Sequence, residues 1–249
     1  MKLIIGRSGK VAGALALMVS LLVCGCTESN EPAYSAAAEL YVAGKASADG
    51  IGKYYMGREI SKVMGHRGAA WLDRRERATQ ERTDLLIENL AVKPSDHIAD
   101  VGAGTGYFTI PMAKLAHTGR VYAVDIVAKM LAMIGAAAEN EKLDNVETVL
   151  ASEADPNLAR RSIDLALLVD AYHEFSHPYE VMRGIVHALK PGGRAVLVEY
   201  RGGDPRVPIL RLHKMTEQQV IKEMTAIDLE WVEARDFLPQ QHFIVFRKP

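Results

Sequence analysis

The chain has 249 residues, of which 49% are hydrophobic and 24% charged, a composition typical of a globular protein with a substantial core. Its formal net charge is −1, which argues against a polyanionic partner, so we expect no nucleic acid. The two cysteines, Cys24 and Cys26, both lie near the N-terminus. The rest of the chain therefore has no disulfide, no cysteine-based zinc site and no thiol nucleophile.

The first part of the chain has the features of an export signal. Its basic residues are Lys2, Arg7 and Lys10. The mostly apolar run at 11–23 is shorter than the ~20 residues that cross a bilayer, but it suits a signal peptide. Residues 22–26 resemble a bacterial lipobox, in which Cys26 would receive the lipid. We predict a signal peptide at 1–25 and an exported, membrane-anchored lipoprotein on the periplasmic side; the alternatives are a plain signal peptide, an uncleaved anchor or, without a signal, a cytoplasmic protein.

After this segment the sequence predicts a flexible tether at 26–50 and one domain at 51–249, with 51–82 as an N-terminal lid. Within the domain, apolar runs alternate with amphipathic stretches. Strands are predicted at 97–101, 121–124, 146–150, 163–169, 195–199, 229–236 and 242–247, and helices at 79–90, 107–116, 127–140, 179–189 and 216–224. This alternation predicts a mostly parallel sheet with helices on both faces.

A glycine-rich turn joins the first predicted strand of this series to the next helix. It reads Asp100-Val-Gly102-Ala-Gly104-Thr-Gly106, and glycines there let the backbone approach a ligand closely. Asp125 ends the second strand, where a carboxylate can bind ribose hydroxyls. The third glycine comes one residue earlier than in a dinucleotide-binding turn, and Asp100 would repel a phosphate. The turn therefore favours a nucleoside-like ligand with a positive charge.

These residues resemble class I methyltransferases that depend on S-adenosyl-L-methionine (SAM), over roughly 83–247. The resemblance also includes 165–173 and 189–194, and a group of bacterial methyltransferase-domain lipoproteins shares 55–71 and 169–175 as well. It implies an α/β, Rossmann-like, doubly wound sheet of seven mostly parallel strands, with an antiparallel last strand, helices on both faces and SAM above the strand ends. The implied SAM-binding residues are Asp100, Gly102, Ala103, Gly104, Thr105, Gly106, Asp125, Ile126, Ser152, Glu153 and Asp170.

The segment His173-Glu174-Phe175-Ser176-His177 also fits the His-Glu-x-x-His pattern of zinc proteases. That chemistry needs both imidazoles on one helix face, one turn apart. Here a buried strand precedes the pattern, and Pro178 disfavours a helical conformation at His177. We therefore expect no protease and no metal. We interpret His173, Glu174 and His177 as pocket residues in a loop where substrate lies; the alternative is that they fix the strand end by hydrogen bonds.

The predicted function is methyl transfer from SAM to a small-molecule or lipid-like acceptor. The resemblance implies that Asp170 and Tyr172 border the methyl group, and His173 is the candidate base for an acceptor that must lose a proton. The candidate substrate residues are Tyr55, Arg58, His66, Glu174, His177, Glu199 and Arg201, with His213 nearby. The alternatives are a non-catalytic SAM- or nucleoside-binding lipoprotein and an NAD(P)-dependent oxidoreductase.

Overall fold

The structure is a computed structural model that describes residues 40–249. The predicted signal peptide, Cys26 and most of the predicted tether lie outside this range. Within the described part of the chain, no helix is long and apolar enough to cross a membrane.

A small antiparallel sheet precedes the main domain. It consists of β1 (Tyr41–Ala43), β2 (Gly50–Tyr55) and β3 (Arg58–Ser61), in that order. Strand β1 lies within 26–50, so the prediction of a tether reaching residue 50 is wrong for this stretch. The reason is a long-range contact: Tyr41 pairs with Tyr55 across the strands, and their rings lie 5.4 Å apart. Sequence periodicity over three residues could not reveal that pairing.

Short helices connect this sheet to the main one. They are α1 (Ala69–Leu72), α2 (Arg77–Gln80) and α3 (Thr83–Asn89). The single helix predicted at 79–90 is divided, because Arg82 has a φ of +51°, in the left-handed region. We call residues 40–72, which contain the small sheet and α1, the cap.

The main sheet has seven strands with helices on both sides. In chain order its elements are β4 (His97–Val101), α4 (Thr109–Leu115), β5 (Arg120–Asp125), α5 (Ala128–Asn140), β6 (Val146–Leu150), β7 (Ile163–Val169), α6 (Pro178–Ala188), β8 (Leu189–Tyr200), α7 (Glu217–Thr225), β9 (Glu230–Arg235) and β10 (Gln241–Arg247). The strand order is β6-β5-β4-β7-β8-β10-β9, and only β10 runs antiparallel to its neighbours. The predicted fold class is confirmed.

The central strands are buried on both faces. Along β7, Ala166 and Leu168 belong to one apolar cluster, together with residues of α6 and α7. Leu165 and Leu167, the alternate residues, belong to the cluster on the other face. This is why the run at 163–169 reads as continuously apolar rather than alternating. Because strands β4 to β8 are parallel, their carboxyl ends lie at one edge of the sheet, beneath the cap.

A buried ion pair ties the cap to the main domain. Arg58 of β3 donates to both carboxylate oxygens of Glu223 on α7, at 2.7 and 3.1 Å. Glu223 is fully buried and also accepts a 2.6 Å hydrogen bond from the Tyr172 hydroxyl. The remaining Arg58 nitrogen donates to the carbonyl of His173. Arg58 therefore anchors the cap to α7 and to the loop after β7.

We expect Arg58→Ala to lower the free energy of unfolding by about 3–5 kcal/mol, because it leaves the Glu223 carboxylate buried without its cation. Arg247→Ala is the matched control, since Arg247 pairs with Glu230 on the surface, where such pairs contribute about 0–1 kcal/mol. Urea denaturation of both variants provides the measurement. Equal losses would contradict a structural role for Arg58.

Candidate active site

A cavity of about 650 Å³ lies at the carboxyl edge of the parallel strands. The glycine turn after β4 and the segments after β5 and β7 form its floor, and residues of the cap and the loop at 208–213 form its walls. The volume is within the ~300–1,000 Å³ range of small-molecule and cofactor sites. Ligands of open α/β sheets bind at this edge.

The glycine turn has a backbone that other residues would adopt only with strain. Gly102, Gly104 and Gly106 have φ values of +74°, +56° and +86°. A Cβ atom on Gly102 would lie 2.5 Å from the Ala171 Cβ, so the turn contacts the loop after β7 directly. Gly102 and Gly104 line the cavity.

Ala103, Thr105 and Gly106 of the same turn do not line the cavity. Ala103 and Gly106 hold the turn through backbone hydrogen bonds, from Ala103 N–H to the Val124 carbonyl and from Gly106 N–H to the Ala103 carbonyl. The Thr105 hydroxyl donates to Asp73, just after α1, at 2.6 Å. These three predicted SAM ligands therefore support the turn or join it to the cap segment.

Asp125 lies at the end of β5 and lines the cavity. One of its carboxylate oxygens accepts the Gly104 N–H at 2.9 Å, and the other accepts the Val127 N–H at 2.8 Å. Burial raises the pKa of this carboxyl above its usual value, while the two N–H groups act in the opposite direction. Each oxygen keeps a second lone pair, so the carboxylate can still accept hydrogen bonds from a ligand.

Asp100 lies beneath the turn rather than in the cavity. It is only 3% exposed, and its Oδ2 accepts a 2.6 Å hydrogen bond from the Thr109 hydroxyl on α4. Burial, with a smaller contribution from the negative charge of Asp125, raises the pKa of Asp100 to about 6. Asp100 therefore does not line the cavity, in contrast to the direct contact with SAM that we expected.

Asp170 follows β7 and faces the cavity in an unusual state. Its φ is +50°, a left-handed conformation that strains a residue with a side chain. One oxygen accepts a 2.6 Å hydrogen bond from Gln241, whereas Oδ1 is buried with no partner among the described residues. Burial and the nearby charges of Glu81 and Glu199 raise the pKa of Asp170 well above its usual value. An orphaned buried acceptor beside a cavity is suited to a donor from a ligand.

The predicted pocket loop after β7 brings His173 and Glu174 to the cavity, and His213 joins them from the segment after β8. His173 Nδ1 lies 2.6 Å from the Glu199 carboxylate, and Nε2 lies 3.1 Å from His213 Nδ1. Glu199 is fully buried behind His173 and does not line the cavity. It therefore orients His173 and is not a substrate ligand.

Other predicted substrate and catalytic residues also lie outside the cavity lining. They are Tyr55, Arg58, His66, Tyr172, His177 and Arg201. Tyr55 and Tyr172 are core side chains, at 1% exposure each. The Tyr172 hydroxyl and Arg58 are both bound to Glu223, away from the cavity. The assignments of Tyr55, Arg58 and Tyr172 were wrong, because a tyrosine or arginine near a strand end looks the same in sequence whether it faces a ligand or a buried carboxylate.

His66, His177 and Arg201 have surface or loop environments. His66 is exposed on a short 3₁₀ helix, His66–Gly68. His177 is half-buried beside Ser176 and Glu153, which do line the cavity. Arg201 donates to the carbonyls of Pro239 and Leu238 and so fixes the loop before β10.

The segment 173–177 does not form one helix. Tyr172–Glu174 is a 3₁₀ turn, His177 has the non-helical angles φ −131° and ψ 64°, and α6 begins at Pro178. The expectation that this segment lacks the geometry of a protease helix is confirmed.

Several lining residues were missed by the sequence reasoning, and most of them are apolar. Large apolar side chains at least 37% exposed surround the cavity: Ile51, Val63, Met64, Trp71, Ile126 and Leu210. Of these, only Ile126 was predicted as a ligand contact. The run at 207–210 carried a usable signal, because four consecutive apolar residues stand between Arg206 and Arg211.

Comparison with known proteins gives a family match over the central part of the chain. The family described as methyltransferase domain matches residues 99–197, which include the glycine turn, Asp125 and the loop after β7. An uncharacterised methyltransferase-like protein of Schizosaccharomyces pombe is 29% identical over 152 residues, which cover 61% of this chain and 56% of that protein. The chain spans about half the length of the curated relatives it matches.

Two solved structures share the fold. A SAM-dependent methyltransferase from Aquifex aeolicus has a TM-score of 0.71 at 16% identity, covering 75% of this chain and all of that one. A Burkholderia thailandensis 1,6-didemethyltoxoflavin-N1-methyltransferase, with its acceptor and S-adenosylhomocysteine bound, has a TM-score of 0.55 at 19% identity, covering 78% and 98%. At these identities the two structures show a shared fold, and the family match covers the part of that fold between residues 99 and 197.

We expect Asp100→Asn to stabilise the unliganded protein above pH 6. The folded-state pKa of Asp100, about 6, lies above the ordinary value of 3.8, so its contribution to stability falls as the pH rises from about 4 to about 6. The variant lacks this loss, and its advantage should grow over that interval to about 2–3 kcal/mol. Urea denaturation at pH 4 to 8 measures it, with exposed Asp144→Asn as the control. A difference that does not change with pH would refute this account.

Proposed function

We propose that this protein transfers the methyl group of SAM to a small, largely apolar acceptor. The observation that carries the proposal is a pair of carboxyl groups, the buried Asp125 and the partly exposed Asp170, that line one cavity on either side of the glycine turn. Among the described residues that line this cavity there is no lysine and no arginine. An acidic site without lysine or arginine fits a cofactor that carries an ammonium and a sulfonium and no phosphate, and it disfavours NAD(P).

Each part of the cofactor has a candidate partner. Asp125 would accept hydrogen bonds from the ribose hydroxyls, as its position at the end of β5 suggests. Asp170 would accept the ammonium group, because the residue lines the cavity and its Oδ1 has no donor among the described residues. Ile126, Ser152 and Glu153 would flank the adenine, since they line the cavity beyond Asp125.

The acceptor would enter through the apolar mouth of the cavity. Six of its surrounding side chains are large, apolar and substantially exposed, and four of them, Ile51, Val63, Met64 and Trp71, belong to the cap. Exposed apolar side chains gathered around a cavity mark a binding surface for apolar ligands. This supports a lipid-like or otherwise apolar small molecule as the acceptor.

The chain's own residues would align the acceptor and exclude water. When bound, SAM supplies an electrophilic methyl group, and the protein's main contribution to such a displacement is alignment. His173 is oriented by Glu199, and its Nε2 faces His213 rather than the open cavity. We therefore propose that the candidate base is the His173–His213 pair rather than His173 alone, on the side of the cavity where the acceptor would bind.

Isothermal titration calorimetry tests the cofactor assignment. We expect SAM and S-adenosylhomocysteine to bind, NADH not to bind, and Asp125→Ala to weaken SAM by at least ~10-fold, since a hydrogen bond to a charged group contributes about 1.5–3 kcal/mol. Asp144→Ala, an exposed carboxylate on the loop after α5, is the control and should bind SAM like the unaltered protein. No heat of SAM binding at millimolar concentration would refute the proposal.

Methyl transfer itself needs a separate assay. The protein is incubated with SAM labelled in the methyl group and with a set of apolar acceptors, and organic extracts are analysed for label. Transfer that requires Asp125 supports the proposed enzyme. Tight SAM binding without transfer to any acceptor would favour a non-catalytic SAM-binding protein.

We also propose that the chain is exported and lipid-anchored at Cys26, on the evidence of the sequence at 1–26. Labelling of cells with radioactive palmitate should mark the protein, and Cys26→Ser should remove the label. Cys24→Ser is the matched control, because it changes the neighbouring cysteine and leaves the lipidated one in place. Labelling that survives Cys26→Ser would contradict the lipobox interpretation.

A further inference from the structure

Three potential metal ligands converge at the acceptor end of the cavity. The atoms are His173 Nε2, His213 Nδ1 and Glu174 Oε1, and all three residues line the cavity. The two nitrogens are 3.1 Å apart, and Glu174 Oε1 lies 3.5 Å from His213 Nδ1 and 3.9 Å from His173 Nε2. Ligands around one tetrahedral ion at 2.0–2.2 Å lie about 3.4 Å from each other. A single ion can therefore contact all three atoms.

The far side of His173 has the support that metal-binding histidines usually have. Its Nδ1 lies 2.6 Å from Glu199 Oε2, and the other oxygen of Glu199 accepts the Tyr172 N–H at 3.0 Å. Glu199 is fully buried, so it holds the imidazole ring in place. With its Nδ1 proton donated to Glu199, His173 presents the lone pair of Nε2 to the cluster.

Glu174 is also held by a bond on its far side. Its Oε2 accepts the Met64 N–H of the cap at 3.0 Å, which leaves Oε1 directed towards the two histidines. A hydrogen bond between His173 Nε2 and His213 Nδ1 would explain their 3.1 Å distance. It does not explain Glu174 Oε1, which lies at or beyond the limit of a hydrogen bond to either nitrogen and within the range of a shared ion.

We propose that His173, His213 and Glu174 bind one divalent transition-metal ion such as Zn²⁺ or Fe²⁺. Two imidazoles and one carboxylate, with further positions open, are a recurrent ligand set for these ions. The two histidines of this set are His173 and His213, whereas the His-Glu-x-x-His pattern contains His173 and His177. His213, from a distant segment, therefore takes the place of His177. A role for the ion in binding an acceptor oxygen rests on the proposed function, whereas metal binding itself does not.

Titration with Co²⁺ tests the site. The full-length chain is purified without a histidine tag, treated with EDTA and titrated with Co²⁺ while visible d–d absorption is recorded. We expect saturation at one equivalent and displacement by Zn²⁺. We also expect His213→Asn to weaken Co²⁺ binding by at least ~10-fold, and Glu199→Gln to weaken it by ~10–100-fold through loss of the support behind His173.

His177→Asn is the matched control, because His177 is the histidine of the sequence motif that lies outside the cluster. Its Co²⁺ spectrum and affinity should equal those of the unaltered protein, and circular dichroism should show that each variant is folded. Absence of d–d bands, or equal affinity in His213→Asn, would overturn the proposal, as would loss of binding in His177→Asn. The titration contains no SAM, so its outcome is independent of whether the protein transfers methyl groups.

Discussion

The turn after β4 and the loop after β7 touch so closely that a single methyl group would not fit between them. The absence of a side chain at Gly102 allows this contact, since a Cβ atom there would lie 2.5 Å from the Cβ of Ala171. Because Ala171 is adjacent to Asp170 and two residues before His173, this contact sets the position of the loop after β7 relative to the glycine turn. The parallel register of β4 with β5 and β7 places all three segments at the same edge. The rest of the site is built outward from that fixed contact.

Buried charge is the second constraint on the site. Glu199 and Glu223 are both fully buried, and each is neutralised or satisfied by groups that reach it from another element. Glu223 holds Arg58 of the cap and Tyr172, whereas Glu199 holds His173. A buried carboxylate that loses its partner is costly, so each one selects a single arrangement of the elements around it. The two carboxylates thereby fix the positions of the cap and of the loop after β7.

The sequence predicted most of the central domain and part of the cavity. Strands at 97–101 and 163–169 have the predicted bounds, because their apolar residues report burial directly. The strand at 146–150 also has the predicted bounds, although none of its residues is buried. Asp125 was placed at the cavity because it ends a parallel strand, whereas Asp170, which follows β7, was placed there by the family resemblance. Tyr172 and Arg58 were misassigned because their partner, Glu223, is distant in sequence and gives no local signal. The cap strand β1 was missed on the same ground.

The order of the cap along the chain has a consequence for how the molecule folds. The cap comes first in the chain, yet its partners come late: Arg58 and Glu223 are separated by 165 residues, and Met64 and Glu174 by 110. Contacts over such distances form slowly, because a large loop must close before they stabilise anything. The central sheet can assemble from neighbouring segments, whereas the cap can dock on Glu223 only after α7 has formed. Completion of the cavity is therefore a late folding event, and a chain that stops before α7 would have the glycine turn without the anchor that holds the cap over it.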